Sequence, residues 1–138
     1  MATFGAPGET RAVLTVATSR YQAREKIAAS GLAPVRTTTG APRFRLGYEL
    51  DGNVAMLAPY GLRSIEDRAE FEAAYGSRLD GFGVEKIRTA LEAVARAAGA
   101  EGVVLLCFED LDDPEQWCHR TIFAAWWREQ TGEEVREL

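Results

Sequence analysis

The feature that most constrains this chain is the unbroken apolar run Val103-Val104-Leu105-Leu106-Cys107-Phe108, closed by Glu109. A strand with one wetted face alternates apolar and polar residues, whereas a continuous run suits a strand covered on both faces, as in a parallel sheet. The chain is therefore expected to build an α/β fold: a small, mainly parallel sheet with helices on both faces. In such sheets ligands bind beyond the carboxyl ends of the strands, where strand order reverses. Cys107 and Glu109 fall at that edge. Shortly after come Trp117-Cys118-His119-Arg120, so that both cysteines and the only histidine lie within residues 107–119.

The remaining elements follow from pattern and punctuation. Ala12 to Ala17 reads as a first strand, followed by Thr18-Ser19-Arg20-Tyr21 as a polar turn. Gln22 to Ser30 is a short helix closed by Gly31, and Leu32 to Thr38 is a second strand carrying Arg36. Together they make a βαβ unit. From Thr39 to Arg63 the pattern is irregular, with Arg43, Phe44, Arg45, Tyr48 and Tyr60 interleaved, as in an ordered, ligand-facing loop. Ser64-Ile65-Glu66-Asp67 starts a helix to about Leu79. Val84 to Ala98 is amphipathic, with Val84, Ile87, Leu91, Val94 and Ala98 on one stripe and Gly99 as the stop. Asp113-Pro114-Glu115-Gln116 reads as a helix start, with Asp113 as cap and Pro114 in the first helical position, and the helix runs through Trp117 to about Gln130. Residues 133–138 add a short final strand.

With 138 residues, one domain over 11–138 is expected, preceded by a flexible tail over 1–10. No apolar run reaches the length of a membrane span, and no targeting segment is apparent, so no membrane association and a cytoplasmic location are expected. A net charge of −5 argues against a general nucleic-acid coat. In that compartment two cysteines read as thiols or ligands rather than a disulfide framework, and are expected to be reduced.

The short first strand followed by a serine, the arginine of Pro34-Val35-Arg36, the Leu105-Leu106-Cys107-Phe108-Glu109 run and the Cys118-His119-Arg120 run together resemble the domain-of-unknown-function family numbered 488. Tyr60-Gly61, Gly83-Val84-Glu85-Lys86-Ile87 and Trp117-Cys118-His119-Arg120 are similar to a sub-branch of it. The resemblance covers nearly all of the chain after Thr10 and implies a small α/β domain, with no established reaction. Many members carry Asp-Val-Arg on the second strand; here Pro34 stands in place of the aspartate, and Val35 and Arg36 match.

The chemistry suggested by these residues begins with anion binding. Arg120 lies on an apolar helix, and a buried cation needs a partner. That partner is either Glu109 or Asp110, in an internal brace, or a phosphate or carboxylate of a ligand. Ser19, Arg20 and Tyr21 in the first turn, with Arg36, Arg43, Tyr60 and Cys118, are the further ligand-binding candidates. Glu109 and His119 are the acid–base candidates, and Cys107 is a candidate nucleophile. Zinc on Cys107, Cys118 and His119 is disfavoured, because neighbours on a regular helix diverge by about 100° and no Cys-x-x-Cys knuckle is present. No metal or other cofactor is therefore expected. The chain is expected to bind, and to be able to process, a phosphate-bearing ligand such as a nucleotide or nucleic-acid end, in one cleft at the carboxyl edge of the sheet shared by Ser19, Arg20, Arg36, Glu109 and Arg120. The alternative is a non-catalytic binding or adaptor domain whose Cys-His-Arg cluster is bracing. Oligomeric state is not legible.

Overall fold

The structure is a computed structural model that describes residues 13–138; the tail expected over 1–10 lies outside them. Five strands form one sheet: β1 (Thr15–Arg20), β2 (Ala33–Arg36), β3 (Gly52–Asn53), β4 (Gly102–Cys107) and β5 (Arg136–Glu137). Their spatial order is β3-β2-β4-β1-β5, with every pairing parallel. Four helices complete the domain: α1 (Arg24–Ser30), α2 (Arg68–Phe82), α3 (Val84–Ala98) and α4 (His119–Thr131). No helix among the described residues is long and apolar enough to cross a membrane.

β4 is the central strand, and every one of its residues is buried. Its alternating side chains feed two cores. Val103 and Leu105 pack with Val16, Val35, Ile87, Leu91, Phe123 and Trp127 beneath α2, α3 and α4. Val104 and Leu106 pack with Ala17, Tyr21 and Ile27 of α1. The apolar run thus reflects burial on both faces. α1 leaves β1 to one face and α4 follows β4 to the other, so the neighbouring strands β1 and β4 flank a topological switch point, as expected.

Several boundaries differ from the sequence reading. β1 extends three residues further, so Thr18 and Ser19 are buried strand residues rather than a turn. Thr18 satisfies its hydroxyl by donating to Glu137 Oε1 at 2.7 Å. Asp67, not Ser64, caps α2, accepting from the Glu70 N–H at 2.9 Å. The irregular 39–63 stretch contains β3 and a 3₁₀ turn over Ala55–Leu57. Gly52 lets α3 approach β3, because a Cβ there would lie 2.9 Å from Val94 Cγ2. Finally, Asp113-Pro114-Glu115-Gln116 does not start a helix. Asp113 accepts from the Glu115 N–H at 3.0 Å and closes a separate turn, and α4 begins only at His119.

Candidate functional site

Cys107 stands at the carboxyl end of β4, opposite Arg20 of β1. Cys118 is the residue before α4, with extended backbone angles (φ −145°, ψ 150°). Because Cys118 is not helical, its side chain and that of His119 do not splay as two neighbours on a helix do. The geometric objection to a joint Cys118–His119 site therefore fails. The two sulfurs are bonded to each other in a Cys107–Cys118 disulfide. The expectation of two free thiols is corrected: the strand end and the extended residue bring the side chains together across the β4–α4 connection. A nucleophilic role for Cys107 would require reduction first.

His119 lies against this pair. Its Nδ1 is 3.6 Å from Cys107 Sγ and 3.6 Å from Cys118 Sγ. Its Nε2 is 2.8 Å from the Thr37 carbonyl oxygen. A carbonyl only accepts, so Nε2 carries the hydrogen and Nδ1 presents its lone pair to the sulfurs. The Thr37 hydroxyl, which donates to the Leu106 carbonyl at 2.8 Å, fixes the loop that supplies this acceptor. The Tyr75 ring stands edge-on to the imidazole at 5.6 Å. Burial pushes the His119 pKa down to about 4, with Arg120 adding to the depression and the Thr37 bond opposing it. The ring is therefore neutral near pH 7.

Above these groups opens a cleft of about 490 Å³. Cys107, Cys118, His119 and Glu109 line its floor and wall, with Thr38, Arg43 and Arg63 among the residues around them. Glu109 Oε1 is 2.8 Å from Cys107 Sγ. The positive end of α4 lies at the same place.

The other expected site residues are placed elsewhere. Arg20, Arg120 and Asp110 line a second cleft at the same sheet edge, with Glu137. The single shared cleft expected for Ser19, Arg20, Arg36, Glu109 and Arg120 is thus divided. Arg120, 1% exposed, is held by Glu137 rather than by Glu109 or Asp110: Nε donates to Oε1 at 3.1 Å and Nη2 to Oε2 at 2.9 Å. Asp110 pairs with Arg20 at 3.5 Å instead. Arg36 is a loop brace, donating to the Thr38 and Thr39 carbonyls at 3.1 and 2.9 Å. Ser19 is buried, and its hydroxyl has no partner among the described residues. Tyr21 is fully buried, with its hydroxyl 2.7 Å from Thr38 Oγ1 and its ring 4.8 Å from Phe108. Tyr60 is 47% exposed and lies outside the residues lining the main cleft.

The sequence reading missed Thr37, Thr38, Arg63 and Glu137. Thr37 and Thr38 directly follow β2, a position that itself points to the carboxyl edge. Glu137 carries no local signal, because only the addition of β5 beside β1 brings it to Arg120. Comparisons with protein-family profiles, with curated proteins and with solved structures find no match.

Proposed function

We propose that the protein binds a phosphate-bearing ligand, a nucleotide or the end of a nucleic acid, in the cleft over the Cys107–Cys118–His119 centre. The observation that carries this reading is the pair Arg43 and Arg63. Both line the cleft and are exposed, and neither has an ion-pair partner among the described residues. In a chain of net charge −5, two unneutralised guanidiniums on one rim, beside a helix N-terminus, suit an anionic guest. Thr39 can contribute a hydroxyl, whereas that of Thr38 is committed to the Gly40 carbonyl and Tyr21. Glu109 is the cleft carboxylate suited to proton transfer, whereas His119 Nδ1 faces the sulfurs. Membership of the domain-of-unknown-function family numbered 488 belongs to the same proposal, supported by the meeting of its Leu-Cys-x-Glu and Cys-His-Arg runs at one centre. A cytoplasmic setting is part of it as well.

A second reading, a non-catalytic adaptor, is favoured by Arg120 and Arg36, which act as internal braces. Thermal shift and calorimetry with inorganic phosphate, pyrophosphate, a nucleoside triphosphate and a 5′-phosphorylated oligonucleotide separate the two. The anion reading expects at least one of these to stabilise the protein by about 2.7 kcal/mol at a hundred-fold excess over its dissociation constant. It also expects Arg43→Ala with Arg63→Ala to abolish the effect. No response to any of the four at millimolar concentration, or an unchanged response in the double variant, supports the adaptor.

A further inference from the structure

The groups beneath the cleft are arranged for more than a disulfide. One sulfur from Cys107, one from Cys118 and one ring nitrogen from His119 all lie within 4.8 Å of one another, and all three residues are buried. We propose that, once the Cys107–Cys118 bond is reduced, Cys107 Sγ, Cys118 Sγ and His119 Nδ1 bind one thiophilic divalent cation of the zinc class, with a fourth position opening to the cleft.

Three features carry this. First, Nδ1 is equally distant, at 3.6 Å, from both sulfurs, and its lone pair is the one directed at them because Nε2–H is engaged by the Thr37 carbonyl. A metal-binding histidine commonly donates its other N–H to a backbone carbonyl, which fixes both tautomer and ring orientation. Here that support is already in place, with Thr37 itself tied to Leu106. Second, the Cα atoms of the two cysteines are 7.3 Å apart. Disulfides usually span about 4.4–6.8 Å, so the reduced side chains can part around an ion without the backbone having to open. Third, two thiolates and a neutral imidazole offset the charge of a divalent ion, which makes the set tolerable in a buried place, and soft sulfur donors select zinc over magnesium or calcium. The cleft provides an entry path. Two cysteines and one histidine with an open position make a ligand set of the catalytic rather than the structural kind.

A dithiol reductant attacks the Cys107–Cys118 bond, transfers two electrons and leaves as its own cyclic disulfide, giving two cysteine thiols. The cation then displaces both thiol protons and forms two metal–sulfur bonds and one metal–nitrogen bond. A disulfide-class oxidant reverses this: it takes two electrons from the metal-bound thiolates, leaves as its own two thiolates, and the Cys107–Cys118 bond re-forms as the ion is released. The proposal is independent of the anion reading, since Arg43 and Arg63 take no part in it.

The test is an anaerobic titration of the full chain with cobalt(II), then with zinc as competitor, before and after treatment with a dithiol and its removal. The reduced protein is expected to bind one cobalt per chain, with thiolate-to-cobalt charge-transfer absorption and the visible bands of a tetrahedral ion. Zinc should displace the cobalt. The oxidised protein, the same chain without the two thiols, should bind none. Cys118→Ser and His119→Gln should each weaken binding at least about ten-fold, the lower end of what disturbing even an outer partner costs. Arg43→Ala with Arg63→Ala should leave it unchanged. Absence of stoichiometric cobalt binding in the reduced protein overturns the proposal. So does equal binding by the oxidised form, or charge-transfer bands that survive Cys107→Ser with Cys118→Ser. The comparison of reduced and oxidised wild type decides the matter even where a variant fails to fold.

Discussion

The pair Arg120–Glu137 gives the sharpest test of how the sheet edge is held. Arg120 is 1% exposed, and its side-chain hydrogen bonds, from Nε and Nη2, both go to Glu137, while Nη1 has no partner among the described residues. Glu137 is 39% exposed at its side chain and also accepts from Thr18. The two ends of the pair are therefore unequal. Glu137→Ala strands a guanidinium where water does not reach it. Arg120→Met leaves a carboxylate that water can still solvate. Losing one partner of a fully buried pair costs about 3–5 kcal/mol, and an exposed pair is worth about 0.2–1 kcal/mol. For this half-wetted case Glu137→Ala is expected to cost about 2–4 kcal/mol. At about 3–4 °C per kcal/mol for a chain of this size, the melting point should fall by roughly 6–16 °C. Arg120→Met should cost less than Glu137→Ala. The double change Arg120→Met with Glu137→Gln should recover at least half of the larger loss, because no buried charge then remains. Urea unfolding followed by fluorescence of the three tryptophans, at fixed redox state, measures all four proteins. A Glu137→Ala loss below 1 kcal/mol, or a larger loss for Arg120→Met, would refute this account.

Two further outcomes follow from local geometry. A Cβ on Gly102 would lie 1.8 Å from the Thr15 carbonyl oxygen across the β1–β4 pairing, so Gly102→Ala should cost about 3 kcal/mol or more, and a loss below 1 kcal/mol in chemical denaturation would contradict it. Asp67→Ala removes the cap on α2 and should cost about 1 kcal/mol, with Asp67→Asn retaining most of the stability in the same assay.

What was legible in the sequence was what depends on near neighbours. The run 103–108 announced a strand covered on both faces, and β4 is that strand. The stripe through Ile87 and Leu91 and the stop at Gly99 located α3. The turn from one face of the sheet to the other also followed, since short crossovers leave few topologies. What was hidden depends on distant partners. Thr18 and Ser19 look like turn residues, yet they are buried in β1, and Thr18 is satisfied only by Glu137 from the far end of the chain. For the same reason Arg120 was expected to take a carboxylate from the nearby β4 end, although β5 supplies it.

The start of α4 shows how a small boundary difference changes chemistry. Asp113-Pro114-Glu115-Gln116 has the residue types of a helix start, and a helix beginning at Pro114 would place Cys118 and His119 on diverging directions. The chain instead uses Asp113 to close a turn, is extended at Cys118, and becomes helical at His119. That shift of five residues, from Pro114 to His119, turns Cys118 back toward Cys107 and sets both sulfurs around the imidazole nitrogen. Capping preference is a local free energy of about 1 kcal/mol. Burying Cys118, His119 and Arg120 together against β4, α2 and β5 engages a disulfide, an imidazole–carbonyl bond and a bidentate ion pair. The larger sum decides where the helix begins, and with it whether the two cysteines and the histidine act as separate core residues or as one centre.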